Sequence, residues 1–398
     1  MNARVVSTRA GLRQLEEDWN ALTDSMETCD PYDTFDWVEE SLNSVHPPDI
    51  RLFVIVVYEE TKCVAIAPLY VASETKGFVK IRVLRSLNEN QAPYCSFCLH
   101  REYSEIVLLR AIMAALEERR GEWDLLHLAD LNTKSNMTFL AEKLWGESYR
   151  TYAHKATMTP YLKFKNYPGK VNKHQIKEIE RKERKLCKEH EVKIRIDQPY
   201  SQAVWDRLIE LNVEKWDRTS KFISPGNRRL YERFASGWNR GRLSFSYIEI
   251  DGRIEAISLC IVFNNNVYGK FMNYAPEFAR RSVGLILTHR LIRHMHEQGM
   301  EECDFEDGTQ AYKFYWTDTV RNNYHLQVVN NNGKRGWLVF LISMRIVART
   351  FGLLESYHRT KSFLRSLTRA RKRGKTKDAE ARGIAWQQDV EMVGNRVR

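Results

Sequence analysis

At 398 residues, 43% of them apolar, the chain is long enough to bury two domain cores. Its longest apolar run, Trp337 to Met344, falls far short of the roughly 20 residues a membrane-spanning helix needs, and the polar start MNARVVSTRAGLRQLEED lacks the apolar centre of a secretory signal. The net charge of +11 belongs to the end of the chain: residues 333–398 hold 16 Lys and Arg against 5 Asp and Glu, while the 332 residues before them hold 46 of each sign, which argues against a body built as a nucleic-acid surface.

Along the first half, Leu12, Leu15, Trp19 and Leu22 follow helical spacing, and a second helix starts at Phe35 after Asp30-Pro31. Leu52 to Val57 and Val64 to Val71 are apolar and β-branched, and the polar turn EETK between them predicts a hairpin. Helices are expected at 106–116 and 137–145, and strands at 125–128 and 156–164. Seven scattered cysteines, an odd number without a secretory signal, predict free thiols in a reducing cytosol, and hence a cytoplasmic protein. Cys95-Ser-Phe-Cys98 is a lone CxxC without the second ligand pair that zinc needs, so no metal is expected.

After a linker at Asn166-Tyr-Pro-Gly169 comes a highly charged helix, 172–190, with Lys173, Lys177, Arg181, Arg184 and Lys188 at steps of three or four. It is either a solvated surface helix or a cationic rail for a phosphorylated substrate. The order of the first half then recurs. Helices at 203–216 and 228–238 precede a hairpin of 243–250 and 254–263 through Asp251-Gly252, a strong turn signal. A strand at 266–274, a helix from Val283 and a strand at 302–305 follow. The expected fold class is therefore α/β (α+β), two copies of one unit. The expected divisions are 1–165, 166–332 and a basic tail, 333–398.

The stretch RRSVGLILTHRLIRHMHEQGMEECDFEDGTQAYKFYW, residues 280–316, is the richest in chemistry. Arg280, Arg281, Ser282, Val283 and Gly284 open an amphipathic helix whose free N–H groups and dipole suit a phosphate or pyrophosphate. The bland alternative is an ordinary helix start with two solvated arginines. Asp304 and Glu306 alternate with Phe305, so they should share one face of a strand while Phe305 enters the core. Tyr312 and Lys313 follow a turn at Gly308. A carboxylate there is either a general base or, paired with Lys313, one end of a structural salt bridge.

Arg281-Ser-Val-Gly284-Leu-Ile286 resembles the acyl-CoA loop of the GNAT N-acyltransferases, Gln/Arg-x-x-Gly-x-Gly/Ala. The continuation CDFEDGTQAYKFYW is similar to the Asp-Phe-x-x-Gly-x-x-x-Tyr-Lys-x-x-Trp ending of the CelD/BioF2-like acetyltransferase domain, a relative of the Fem-type peptidyltransferases in which two GNAT units stand in tandem. The likeness covers most of residues 10–330. It departs at Ile286, whose bulk predicts a crowded pyrophosphate site. The resemblance implies two GNAT-like units, each a mixed, mostly antiparallel sheet with helices on both faces, and acyl-CoA as co-substrate bound by residues 280–284. An acyl thioester would lie in a split between strands 267–274 and 302–305. Asp304 or Glu306 would take a proton, Tyr312 would protonate the leaving thiolate and Lys313 would stabilise negative charge. The acceptor implied is an amine or hydroxyl, as on a sugar of an envelope polysaccharide or its precursor. The first unit, with Tyr103-Ser-Glu-Ile in place of the basic loop, would shape the acceptor pocket. Two alternatives stand beside this: a Fem-like transferase using aminoacyl-tRNA, and a non-enzymatic accessory protein of polysaccharide biosynthesis docking through its tail. Within that tail, 337–369 interleaves apolar and basic residues, as in a helix lying on an anionic membrane or on a partner such as a synthase, or one packing on the second domain. Residues 369–383, RARKRGKTKDAEARG, are expected to be disordered.

Overall fold

The computed structural model describes residues 1–350 except 90, 135, 170, 217–223 and 239, so the expectation for 369–383 lies outside the described residues. Residues 1–332 form one compact unit and the chain from Gly333 a second. The first half of the large unit runs β1 (Asn2–Val6), α1 (Arg9–Arg13), α2 (Glu16–Asp24), α3 (Phe35–Ser44), β2 (Arg51–Leu52), β3 (Val54–Glu59), β4 (Lys62–Ala67), β5 (Leu69–Lys76), β6 (Val79–Ser86), β7 (Cys98–Leu99), α4 (Glu105–Glu118), β8 (Leu125–Asn132), α5 (Met137–Trp145) and β9 (Arg150–Lys163). The second half runs α6 (Lys173–Glu189), β10 (Val192–Gln198), α7 (Gln202–Trp216), α8 (Pro225–Ser236), β11 (Gly241–Ile250), β12 (Arg253–Phe263), β13 (Asn266–Tyr274), α9 (Val283–Glu297), β14 (Glu302–Asp304) and β15 (Val320–Val329). The small unit starts with α10 (Arg335–Thr350).

Local chemistry sets several of these boundaries. Thr34 and Asn172 cap α3 and α6 with their side chains, accepting from Trp37 N and Gln175 N. Asp251 and Gly252, both at positive φ (52° and 83°), make the tight turn between β11 and β12. The apolar run 64–71 is two strands rather than one, because it breaks at Pro68: β4 joins a four-stranded sheet, β1-β3-β4-β7, and β5 joins the large one.

Alternation along the central strands β3 and β12 buries both of their faces. Val54 and Val56 of β3 meet Leu12 and Trp19, while Ile55 and Val57 meet Leu108 and Ile112 of α4. In the second half, Leu259, Ile261 and Phe263 face Trp205, Leu208 and Phe234 of α7 and α8; Cys260 and Val262 face Ile286, Leu287 and Leu291 of α9. Trp37 of α3 stacks on Phe234 of α8 (5.0 Å, 9°), so the halves share a core.

Each half contains one parallel strand pair joined by a helix, β6–α4–β8 and β13–α9–β14, which is the repeated unit. The halves fuse into one eleven-stranded sheet, β10-β11-β12-β13-β14-β9-β15-β8-β6-β5-β2. The fourteen-residue β9 makes the join: its end, Tyr161 to Lys163, pairs with β14, and Arg150 to Pro160 pairs with β15, the last strand of the second half.

Candidate active site at the strand split

β13 and β14 pair over only three residues, ending at Tyr268 and Asp304. Beyond that point β13 continues to Tyr274, and no strand among the described residues pairs with its β14-facing edge. A β-bulge at Lys270, which sits between the pairs Leu259↔Phe271 and Cys260↔Gly269, bends β13 at the same place and re-aims the Lys270 side chain. A cavity of about 450 Å³ opens at the split, lined by β13, by Thr288, Leu291 and Ile292 of α9, and by Cys303, Tyr312 and Lys313. A second cavity, about 570 Å³, lies against the first half and is lined by Glu89, Gln91, His127, Asp130 and His325. The two share one wall: Lys270, Phe271, Glu306 and Asp307.

Glu306 and Lys270 form a buried ion pair at 2.9 Å in that wall. The Tyr32 hydroxyl donates to Glu306 Oε1 and accepts from Lys270 Nζ at 3.1 Å. Burial raises the Glu306 carboxyl above its ordinary range, and Lys270 and Tyr32 only partly offset this. Burial pulls the Lys270 ammonium down most strongly, but the Glu306 charge and hydrogen bond, with Tyr231 and Asp307, together raise it above its ordinary value. Glu306 has a positive φ of 54°, so the chain turns sharply as it leaves β14.

Asp304 is fully buried. Tyr94 Oη donates to its Oδ2 at 3.2 Å, Arg321 Nη1 lies at 3.4 Å, and Glu306 N donates to Oδ1 at 2.7 Å. Its carboxyl is raised by burial against the pull of Lys134 and Arg321. Phe305 packs in the α9-side core, while Glu306 stands beyond the end of β14, in the turn that follows it. Asp304 and Lys313 do not pair. The Lys313 ammonium donates to the carbonyls of Phe305 (2.7 Å), Glu306 (3.3 Å) and Asp307 (2.6 Å), and holds the turn that carries Glu306. Burial pulls its pKa down. Tyr312 lines the split, its hydroxyl pushed up to about 12 by burial.

The basic loop stands at the N-terminus of α9, where no side chain caps the helix. Arg280 is exposed; Arg281 pairs with Glu189, and Lys182 donates to Ser282 Oγ at 2.8 Å, so α6 holds the loop. Ser282 adopts the left-handed conformation (φ 58°). A Cβ at Gly284 would meet the Tyr274 ring at 3.0 Å. Val283 and Ile286 are buried, and the Ile286 side chain belongs to the core beneath α9. All five cations of the charged row on α6, Lys173, Lys177, Arg181, Arg184 and Lys188, are exposed, and Arg181 pairs with Glu178.

Sequence reasoning missed Lys270, Tyr32 and Tyr94. Tyr32 and Glu306 are 274 residues apart, and nothing local links them. Lys270, a lone charge in the apolar strand VYGKFMNY next to a glycine, was the one visible hint of a bulge. Among the described residues, no group of three His, Cys, Asp or Glu side chains is placed to hold a metal ion.

Two β-α-β units fused through one sheet, with a split beside the second crossover helix, define a tandem GNAT-like protein. Residues 173–314 match the family model described as the acetyltransferase (GNAT) domain. Among solved structures, FemX is similar over 83% of this chain and 98% of its own, at 10% identity and a TM-score of 0.56. The C-terminal domain of a putative lysylphosphatidylglycerol synthetase from Agrobacterium fabrum is similar over 81% and 95%, at 12% identity and a TM-score of 0.51. At these identities the likeness speaks to the fold. No curated protein matches the sequence.

Proposed function

We propose that this acyltransferase moves an acyl group from an acyl-CoA thioester to an amine or hydroxyl, with the donor in the split and the acceptor in the second cavity. The observation that carries this reading is the shared wall, which puts one buried carboxylate, Glu306, in the lining of both cavities. In this scheme the acceptor's lone pair attacks the thioester carbonyl carbon and its proton passes to Glu306. Backbone N–H groups on the open edge of β13 stabilise the oxyanion. The C–S bond then breaks and Tyr312 protonates the thiolate. Lys313 acts through the carbonyls it holds, as a positioning residue. The pyrophosphate of CoA lies at the α9 N-terminus beside Arg280, Arg281 and Lys182.

The second cavity also bears on the acceptor. Glu89 Oε2 and Gln91 Oε1 are buried without a protein partner, and both are acceptor atoms. A ligand rich in donors, a polyol or an amino-bearing sugar, matches them, which supports a saccharide acceptor. The test is thiol release from acetyl-CoA and longer acyl-CoAs with amino-sugar and polyol acceptors, beside thermal unfolding with each acyl-CoA. A ligand at about 100 times its Kd adds roughly 2.7 kcal/mol of stability. No shift with any acyl-CoA would refute the donor. The exposed cations of α6, next to the loop, favour a second reading in which the donor is aminoacyl-tRNA. Steeply salt-dependent tRNA binding, lost on reversing Lys177 and Arg184, would select it.

A further inference from the structure

α10 has two apolar sides. Leu338 and Ile342 are buried, at 1% and 6% exposure. At about 100° per residue, Phe340 and Met344 project from the opposite side, and each is 53% exposed. The Trp337 ring stacks on Phe340 from the same side (5.9 Å, 28°). Arg335 and Arg345, both exposed, precede and follow this segment in sequence. An ordinary surface helix would carry polar residues where Phe340 and Met344 stand.

We infer that this face of α10 docks the protein onto an anionic lipid bilayer, with Trp337, Phe340 and Met344 entering the acyl boundary. Charge chooses the occupant. From Gly333 onward the chain carries 16 Lys and Arg against 5 Asp and Glu, so it is drawn to anionic headgroups. The same charge would repel a second copy meeting face to face. No helix among the described residues is long and apolar enough to cross a membrane, so the helix lies in the interface plane. Apolar insertion and basic attraction are the two signals that stable peripheral binding requires.

The experiment is flotation of the full chain with phosphatidylcholine vesicles, with and without phosphatidylglycerol. The expected result is binding only where phosphatidylglycerol is present, weakened by salt. Phe340→Gln/Met344→Gln should lower the partition coefficient about tenfold or more. The buried Leu338 and Ile342 are untouched, so the variant's melting temperature should equal the parent's. Equal flotation of variant and parent would overturn the proposal, because the tail's charge alone would then suffice. So would no flotation, or a dimer in light scattering that the double substitution dissolves.

Discussion

Replacing Glu306 by Gln tests the centre of the mechanism. Gln keeps the size of the side chain and a carbonyl for the Tyr32 hydroxyl, but it cannot take a proton. Loss of a positioned base slows transfer by about a hundredfold to ten-thousandfold, or roughly 2.7–5.4 kcal/mol of barrier. The substitution also strands Lys270, whose side chain is 6% exposed and which has Glu306 as its ion-pair partner at 2.9 Å. Breaking a buried pair from one side costs about 3–5 kcal/mol, a large share of the roughly 5–15 kcal/mol that holds a protein folded. A double variant, Lys270→Met/Glu306→Gln, removes both charges and separates the two effects. It should regain most of the lost stability and none of the lost rate. The assay is the pH profile of kcat/KM for thiol release. A base works deprotonated, so the rate should rise through the Glu306 pKa, above the ordinary carboxylate range because burial raises it. Lys270→Met alone removes a cation that lowers that pKa, so the limb should move to higher pH. Glu306→Gln should abolish the limb. If Glu306→Gln stays folded, binds acyl-CoA and keeps kcat within about threefold of the parent, no general base acts at this position.

Arg281→Glu should weaken acyl-CoA binding by about tenfold to a hundredfold, the worth of a charge-assisted phosphate contact, as read by titration calorimetry. Stability should barely change, since the partly exposed Arg281–Glu189 pair is worth about 1 kcal/mol or less. Lys313→Met leaves three carbonyls without their common donor; at about 1–3 kcal/mol for each buried unmet group, its denaturant midpoint should fall, and kcat should drop more than KM rises. Asp33, buried beside Asp30, has its carboxyl pushed up to about 7 by burial. A raised carboxyl binds more protons folded than unfolded, so its contribution to stability falls as pH rises from about 4 to about 7. Asp33→Asn should therefore stabilise the protein at about pH 8 by a few kcal/mol and not at about pH 4, measured by thermal unfolding at both.

The repeat was legible because its signals are local. Period-2 and period-3.6 patterns, the Asp251-Gly252 turn and the Asn172 cap act within a few residues, and most helices and hairpins stand where they place them. Strands β1, β6, β7, β10 and β15 were left unread: β6 and β10 are short and rich in charge, VKIRVLRS and VKIRIDQ, and β15 is largely polar, VRNNYHLQVV. Such sequences gain their pairing from neighbours distant in sequence. The same limit applied at the site. Asp304, Glu306, Tyr312 and Lys313 lie on one short stretch and were readable together, but the partners of the lysine were not. Lys313 meets carbonyls rather than Asp304 because the positive φ at Glu306 folds the backbone back towards its ammonium. No spacing rule predicts that turn.

What the first half supplies explains why a unit without the basic loop is kept in the fold. Tyr32, Tyr94, Asp30 and Lys134 all reach across to the second half. Tyr32 holds Glu306 and Lys270, and Tyr94 holds Asp304. Asp30 accepts from Tyr268 at 2.8 Å and pairs with Lys134. Trp37, stacked on Phe234, anchors the helix that follows this segment. A second-half unit alone would expose Lys270 and Glu306 to water, where the carboxyl would return to its ordinary range and the wall between the cavities would have one side. The acid–base character of Glu306 is thus a property of the junction. Trp37→Ala, which loosens that junction at a cost of about 3–5 kcal/mol, should shift the acid limb of the pH profile downward as well as lower the melting temperature.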